Sequence, residues 1–369
     1  VQKKKEVYAS ATRKNLVEVW NGQIGAYASP SQKENLQLLE NETTFTITTG
    51  HQLTLFAGPL YLIYKVLHVV RLAEAFNQSQ NDFKAVPVFW MASEDHDFDE
   101  VKSTHLFNQK LTWESGQTGP VGRFNMNDFK EVHETFKAFF EGKDTEINEL
   151  LAIAEKADYA SYQQEFISKL FAEFGVLVLQ PDNRELKREF LPVVLREISD
   201  NLAHQAVQSA NKLVEGAGYK PQAYSRDCNL FYLRAGERLR IEPVANGLAV
   251  DGKVYSKEEL AKLAESEPEN FSPNVILRPV YQETILPNLV YVGGGGENDG
   301  NAYMDCLCGS RAAGISNVHG LGPDEVHGLL LCAGRCCVCR VESCSLRIHC
   351  PTGRHRQHPR YCCSHTCRG

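Results

Sequence analysis

Residues 43–92 are TTFTITTGHQLTLFAGPLYLIYKVLHVVRLAEAFNQSQNDFKAVPVFWMA, and their pattern predicts the fold class. Within this stretch, Thr43–Thr49 is dense in β-branched residues and ends at a glycine, which predicts a strand followed by a turn. Gly58–Phe76 has a proline near its start and a broad apolar face, which predict a helix. Val86–Met91 predicts a second strand. Strand, helix and strand in this order form a βαβ unit, and such units imply a parallel sheet covered by helices.

Further stretches extend the parallel sheet in this prediction. Gly175–Gln180 is a continuous apolar run of strand length, and a helix start signal follows it at Asp182 or Asn183. Asn274–Pro279 and Asn288–Val292 are also strand-like. We therefore expect a core that the chain leaves and later re-enters.

Residues 221–255 have a different pattern from the core. Their short strands are separated by Ala-Gly, Asn-Gly and Asp-Gly turns, which predict a small antiparallel subdomain closed by the helix Ser256–Ser266. The predicted fold class is α/β, with inserted helical and β-rich subdomains. Six segments are expected: an N-terminal helical segment (1–40), the first half of the core (41–125), a helical segment with a further core β/α unit (126–220), the β-rich subdomain (221–270), a return to the core (271–297) and a Cys/Arg-rich tail (298–369).

The composition limits the partners that we expect. The chain has 369 residues and a formal net charge of -7, so it offers no broad basic surface to nucleic acid or anionic membranes. No apolar run approaches the roughly 18 residues that a membrane span needs. The first residues contain lysines but no apolar segment typical of a secretory signal. We expect a cytoplasmic protein without nucleic acid or membrane partners.

The tail differs in chemistry from the rest of the chain. Eleven of the 12 cysteines lie between Cys306 and Cys367, and no Lys, Phe or Trp follows Glu297. Translation in a wrong reading frame would produce such a shift, and the tail would then not be natively folded. The alternative is a zinc module. Its candidate ligands would be Cys336, Cys337, Cys339, Cys344, His349, Cys350, Cys362, Cys363, His365 and Cys367.

The first candidate site follows the first predicted strand. In open parallel sheets, ligands bind beyond the carboxyl ends of the strands. A glycine turn lets the backbone approach a ligand, and a helix N-terminus favours an anion. His51 could stabilise charge or relay a proton, although a glycine turn with a hydrogen-bonded histidine is an equal possibility. The candidate residues here are Thr49, Gly50, His51, Gln52, Gly58, Pro59 and Tyr61.

The second candidate site is SEDHDFDE, residues 93–100, directly after the second strand. Carboxylates that cluster in a buried place need cations, hydrogen bonds or protons, so this cluster suggests ligand contact. A solvated acidic loop is the alternative. We expect Glu94, His96 and Asp97 to face inward, with Ser93 and Asp95 beside a ligand, and Asp99 and Glu100 to be solvated.

The third candidate site is the glycine run Gly293–Glu297 after the last strand-like stretch. Such a run can admit a ligand against bare backbone, but it lacks the lysine of a P-loop and the spacing of a dinucleotide fingerprint. Gly293, Gly294, Gly295 and Glu297 are its candidate residues. Arg278 lies inside a strand-like run, where a carboxylate or phosphate contact would explain it, as would a salt bridge to the acidic loop.

Five segments resemble one known family in order and spacing. They are TITTGHQLTLFAGPLYLIYK, VPVFWMASEDHDFDEV, TGPVGRF, NLFYL and SPNVILRPVYQETILPNLVYVGGGGE. They resemble the BshC family, the cysteine ligases of bacillithiol biosynthesis, over about residues 12–297. The resemblance implies a Rossmann-like parallel-sheet core with inserted connecting subdomains. It also implies a homodimer formed through a C-terminal coiled coil, and residues 298–369 show no such dimerising segment.

The resemblance implies a ligase that adds L-cysteine to glucosaminyl malate in the last step of bacillithiol biosynthesis. An amide bond needs an activated carboxylate, so ATP or another nucleotide is the expected co-substrate, and no metal is expected in the body of the chain. His51 and His96 would transfer protons or stabilise charge, and Glu94 and Asp97 would bind an amine or a metal. Arg278 would bind the substrate carboxylate. The remaining candidates would contact substrate or nucleotide.

Two other classes of function stay open. A metal-dependent hydrolase could use Glu94, Asp95, His96 and Asp97 as its site. A non-catalytic binding protein would bind neither nucleotide nor cysteine. Strict ATP dependence with activity retained in excess chelator would favour the ligase over the hydrolase.

The composition of the tail gives a first testable prediction. We expect a second reading frame of the gene, entered near codon 297, to encode a lysine-containing helical sequence in place of the cysteine-rich one. Sequencing of the gene and its transcript checks this. Absence of such a frame, together with stoichiometric zinc in the purified protein, would instead favour the zinc module.

Overall fold

The computed structural model describes residues 1–79, 82–142, 145–216, 221 and 224–293, and the backbone of three short strands in the tail. Within these ranges the helices are α1 (Gln2–Val7), α2 (Ser10–Ile24), α3 (Pro30–Leu39), α4 (Leu60–Ser79), α5 (Phe98–Val101), α6 (Lys130–Ala138), α7 (Thr145–Leu151), α8 (Tyr159–Leu170), α9 (Arg184–Asp200), α10 (Leu202–Gly216), α11 (Lys257–Ser266) and α12 (Arg278–Ile285). The strands are β1 (Thr44–His51), β2 (Lys84–Met91), β3 (Ser103–Leu106), β4 (Gln109–Thr112), β5 (Leu177–Leu179), β6 (Leu230–Arg234), β7 (Glu237–Val244), β8 (Gly247–Val250), β9 (Lys253–Tyr255), β10 (Phe271–Pro273), β11 (Asn288–Gly293), β12 (Leu329–Cys332), β13 (Val338–Glu342) and β14 (Ser345–His349).

The main sheet has the strand order β14-β13-β12-β11-β1-β2-β5. β1 pairs in parallel with β2 along its whole length, and β11 and β5 join in parallel on the two sides. The predicted βαβ unit is therefore confirmed, as is the α/β fold class. Apart from the strands β12 to β14, the tail lies outside the described residues, and its predicted non-native state stays a prediction. The boundaries of the six segments also stay predictions.

Both faces of β1, β2 and β5 are buried, which explains the continuous apolar run in β2. Because side chains alternate along a strand, Val86, Val88 and Trp90 enter one core. Phe89 and Met91 enter the core on the opposite face. The helices α2, α3, α9 and α12 supply the first core, and α4 and α8 supply the second. β1 and β2 therefore lie inside the sheet, between β11 and β5, with helices packed on both of their faces.

The small sheet has the order β10-β6-β7-β8-β9, and its strand pairs are antiparallel. This confirms the prediction of a β-rich element in residues 221–255. Ser256 caps the following helix α11 with a reciprocal capping box, as the sequence indicates. Asn183 likewise caps α9, which selects one of the two predicted starts.

Two local predictions are wrong. Asn274–Pro279 does not form a strand, because its backbone turns after β10 and enters α12 at Arg278. The apolar face predicted for α4 is wrong at Leu60 and Tyr64, which are 64% and 65% exposed, whereas Val70 on the same predicted face is buried. Lys65 occupies the buried face instead, where its ammonium donates to the carbonyl oxygen of Gly50 at 2.6 Å. Because a hydrogen-bonded lysine lies on the buried face of α4, the apolar residues alone do not reveal which face is buried.

Among the described residues, no helix is both long and apolar enough to span a bilayer.

Four tyrosines give a prediction about alkaline pH. Burial raises the pKa of Tyr8, Tyr159, Tyr162 and Tyr281 above the ordinary value. An unfolded tyrosine ionises near pH 10. The stability that these phenols contribute is therefore complete below about pH 10 and is lost as the pH rises from there towards the folded-state pKa.

We expect the free energy of unfolding to fall above about pH 10. We also expect the tyrosinate absorbance at 295 nm to develop at higher pH in the folded protein than in denaturant. Denaturant titrations between pH 8 and pH 11 test this. A folded-state absorbance titration that coincides with the denatured one would contradict it.

Candidate active site

A cavity of about 350 Å³ opens at the carboxyl ends of β1 and β2. Its floor is formed by the last residues of these strands, and the turn Ala92–Asp95 forms one wall. Arg238 from β7, the Pro273–Val275 turn and the first residues of α12 close the other side. The small sheet and the main sheet thus share one cavity, at the position where open α/β sheets bind ligands.

Glu94 is the buried carboxylate of the acidic wall, as predicted. Its Oε1 forms an ion pair with the ammonium of Lys187, whose side chain is 1% exposed. Lys187 also donates to the carbonyl oxygen of Phe271 at 2.7 Å. The sequence patterns did not identify Lys187, because it lies within the amphipathic helix α9, 93 residues along the chain from its partner.

Asp95 is held by a network of short hydrogen bonds. Its Oδ1 accepts from the backbone N–H of His96 at 2.7 Å, and its Oδ2 accepts from Gln52 Nε2 at 2.8 Å. The same Gln52 nitrogen donates to Glu100 Oε2 at 2.7 Å. Both donors of the Gln52 amide are therefore used on carboxylates, and the amide fixes the acidic turn against the end of β1.

His96 and Asp97 do not face inward, contrary to the prediction. Both side chains are exposed, and neither lines the cavity. The turn that Asp95 closes through its own carboxylate directs the next two residues towards solvent. Asp95 occupies the inward position instead. Asp99 and Glu100 are exposed, as predicted.

Arg238 is a cavity residue that sequence reasoning missed. Its guanidinium lies 4.1 Å from the ring centroid of Phe231 and donates to the carbonyl oxygen of Pro273 at 3.0 Å. It also lies 3.2 Å from His96 Nδ1. Since a guanidinium can only donate, Nδ1 must be the acceptor and the proton of the neutral imidazole must be on Nε2. Burial lowers the pKa of Arg238, and Glu94 and Asp95 oppose this shift.

Arg278 also lines the cavity, but from the first turn of α12 rather than from a strand. Its Nη1 donates to Gln282 Oε1 at 3.2 Å, one helical turn further on. Its guanidinium carbon lies 5.5 Å from the centroid of the Tyr291 ring in β11. The two arginines bring two cations to a cavity that Glu94 and Asp95 supply with two carboxylates.

The end of β1 brings Gly50, His51 and Gln52 to the cavity, as predicted. An added Cβ at Gly50 would lie 3.2 Å from the Tyr291 hydroxyl and 3.3 Å from the Trp90 carbonyl oxygen, so a side chain would be crowded there. His51 Nδ1 lies 3.3 Å from the Gln52 carbonyl oxygen. Its ring also meets Tyr61 edge-on, with 6.3 Å between centroids.

Other predicted residues have structural contacts instead of cavity positions. Thr49 is buried between strands, where its hydroxyl donates to the Val292 carbonyl oxygen at 2.7 Å. Gly58 packs so closely on Thr104 that a Cβ would lie 2.3 Å from its hydroxyl oxygen. Pro59 and Tyr61 are exposed and do not line the cavity.

Ser93 lines the cavity, with its side chain hydrogen-bonded to Gln180. Gly293 ends β11. The predictions for Gly294, Gly295 and Glu297 lie outside the described residues.

The acidic cluster does not form a ready set of metal ligands. Within the part of the chain that the structure describes, no three His, Cys, Asp or Glu side chains converge on a common point. Glu94 is paired with Lys187 and Asp95 accepts from Gln52, so these carboxylates already have partners.

A parallel sheet with helices on both faces and a polar cavity at its carboxyl edge define a Rossmann-like α/β protein. The family model described as "Bacillithiol biosynthesis BshC, N-terminal Rossmann-like domain" matches residues 1–299. The chain belongs to the BshC family. This confirms the resemblance seen in the sequence.

Curated relatives agree with this family assignment. A protein of Cytophaga hutchinsonii named "Putative cysteine ligase BshC" is 43% identical over 271 residues, which are 73% of this chain and 51% of the relative. Proteins with the same name from Flavobacterium johnsoniae and Chlorobaculum tepidum are 39% and 34% identical, over 73% and 77% of this chain and 52% and 54% of their own lengths. The chain spans about half the length of the curated relatives it matches.

The packing beneath the acidic turn gives a prediction about Gly122. The backbone N–H of Gly122 donates to the Ser93 carbonyl oxygen at 2.9 Å, and an added Cβ would lie 2.6 Å from that oxygen. We expect Gly122→Ala to destabilise the protein by about 1–3 kcal/mol, because the turn must move to accept the methyl group.

Gly116→Ala is the matched control, since an added Cβ there meets nothing within 4 Å. Chemical denaturation of both variants measures the difference. Equal stability of the two variants would show that the turn does not depend on this contact.

Proposed function

We propose that this chain carries the catalytic cavity of a ligase that joins L-cysteine to glucosaminyl malate in the last step of bacillithiol biosynthesis. The observation that carries the proposal is the pairing of Arg238 and Arg278 with Glu94 and Asp95 around one cavity of a BshC-family core. Both proposed substrates present carboxylate and amine groups. A cavity with cations and carboxylates on different walls can bind and orient both kinds of group.

The reaction requires activation of the cysteine carboxylate, because a free carboxylate does not condense with an amine at neutral pH. An ATP-dependent route forms an acyl phosphate with release of ADP, or an acyl adenylate with release of pyrophosphate. The glucosamine nitrogen then attacks the acyl carbon, a C–N bond forms, and phosphate or AMP leaves. One proton must leave the attacking nitrogen during this step.

The cavity residues divide these tasks by their chemistry. Arg278 would bind a malate carboxylate, and Arg238 would bind the second one or the developing charge on the acyl group. Glu94 and Asp95 would hold the substrate ammonium groups in place. His51, at the end of β1, would accept the proton from the attacking amine.

His96 and Asp97 have a different proposed part from the one that the sequence suggested. The exposed imidazole of His96 contacts the guanidinium of Arg238. His96 would therefore orient Arg238 rather than touch the reacting atoms. Asp97, at the start of α5, would support the same turn.

The role of Arg278 can be tested by substitution. Loss of a charge-assisted contact to a carboxylate costs about 1.5–3 kcal/mol. We expect Arg278→Ala to weaken binding of glucosaminyl malate by about 10- to 150-fold. Calorimetric titration measures the affinity, and mass spectrometry of a mixture with L-cysteine and ATP measures bacillithiol formation.

Arg188→Ala is the control, because Arg188 pairs with Glu185 on the exposed surface of α9. Unchanged affinity in Arg278→Ala would reject the proposed carboxylate contact. Product formation without any nucleotide would reject the activation route. Binding of neither nucleotide nor L-cysteine by the unmodified protein would favour the alternative of a non-catalytic binding protein.

A further inference from the structure

Lys187 is a deeply buried cation beside the cavity, and the mechanism proposed above does not use it. Its side chain is 1% exposed. Its ammonium pairs with Glu94 Oε1, donates to the Phe271 carbonyl oxygen at 2.7 Å, and lies 5.4 Å from the centroid of the Tyr281 ring. It does not line the cavity itself. It therefore acts on the cavity only through other residues.

Stability alone does not account for this buried pair. Transfer of an ammonium and a carboxylate out of water costs free energy that their mutual attraction often fails to recover. An apolar pair of similar volume would often stabilise the fold at least as well. Unlike an apolar pair, the ion pair holds the carboxylate of Glu94 in a fixed position.

The three partners of Lys187 belong to different parts of the fold. Glu94 follows β2 in the main sheet, and Phe271 begins β10 in the small sheet. Tyr281 lies in α12, and its hydroxyl donates to the carbonyl oxygen of Pro181, a cavity residue, at 2.6 Å. One ammonium group thus joins the two sheets and the helix that carries Arg278.

The contact with β10 extends to the second arginine of the cavity. Directly after Phe271, Ser272 and Pro273 accept hydrogen bonds from Arg238 Nη2 at 3.3 Å and 3.0 Å. Lys187 therefore holds the backbone strand on which Arg238 is anchored. The same ammonium holds Glu94 on the opposite side.

We propose that Lys187 is a positioning residue that sets the spacing between the Glu94 carboxylate and the Arg238 guanidinium across the cavity. This inference rests on the proposed function for the identity of the ligand, a substrate with an ammonium and carboxylates. The second oxygen of Glu94, Oε2, receives the ammonium, while Arg238 receives a carboxylate. Lys187 touches neither group.

The test compares Lys187→Met with Lys187→Arg and a matched control. Lys4→Met is the control, because Lys4 forms another buried ion pair, with Glu283 at 2.9 Å, away from the cavity lining. Hydrogen exchange is measured for residues 93–97 and 271–273. We expect Lys187→Met to speed exchange in both segments by about tenfold, with the β1–β2 pairing unchanged, and Lys187→Arg to restore most of the protection. Lys4→Met should leave both segments unchanged.

Kinetics supply the second measurement. We expect Lys187→Met to raise the KM for glucosaminyl malate by about tenfold or more, with a smaller change in kcat, because the walls of the cavity lose their spacing. Lys187→Arg should recover the KM. If Lys187→Met does not fold, Lys187→Gln, which keeps one donor at this position, replaces it in the same comparison.

The two measurements separate this inference from the proposed function. Failure of the unmodified protein to form product would reject the proposed ligase, whereas the exchange data would still test the role of Lys187. Unchanged exchange in both segments of a folded Lys187→Met variant would overturn the positioning role. An equal loss in Lys187→Met and Lys4→Met would also overturn it, since that would indicate a general effect of removing an ion pair.

Discussion

The parallel pairing of β1 with β2 places the two turns that form the cavity side by side. All eight residues of β1 pair in order with those of β2, so the two strands end level with each other at His51 and Met91. Both strands are covered on both faces, and their polar backbone groups are satisfied by the sheet itself. Everything that follows these strands must then emerge at one edge. The turn after β1 and the acidic turn after β2 are neighbours at this edge, because His51 and Met91 are paired at the ends of the two strands.

Long-range contacts convert that edge into a cavity with ordered charges. Lys65 beneath the end of β1 and Lys187 behind the acidic turn are both 1% exposed, and each donates to a backbone carbonyl oxygen. The small sheet adds Arg238, and α12 adds Arg278. Burial strengthens electrostatic interactions because the local dielectric constant is low. Each buried cation therefore needs a hydrogen-bonding partner, and each such contact links two helices, strands or turns. The position of the small sheet over the main sheet is one result, since Lys187 contacts both Glu94 and Phe271.

The BshC family match covers the whole cavity but does not give a role to any single residue. The matched region, residues 1–299, includes four strands of the main sheet, the small sheet and the cavity between the two sheets. The four strands are β1, β2, β5 and β11. The cavity residues come from segments that are distant in the chain, and the contacts among them involve backbone carbonyl groups as well as side chains. A carboxylate such as Glu94 therefore owes its position to a lysine 93 residues away and to a strand of another sheet.

Local sequence patterns predict the main helices and strands and the sheet edge at which the site lies. The β-branched run before Gly50, the apolar run before Ser93 and the caps at Asn183 and Ser256 act through neighbours in the chain, so their patterns are legible without a structure. Glu94 could be expected at the cavity because it closely follows the end of β2 in the chain. The inward positions of Glu94 and Asp95 depend on tertiary contacts, because Lys187 in α9 pairs with Glu94 and Gln52 at the end of β1 donates to Asp95. Tertiary structure also decided that Arg278 begins a helix and that Lys65 and Lys187 are buried. A buried lysine resembles a surface lysine in any pattern of hydrophobicity, and only a partner that is distant in sequence makes its burial possible.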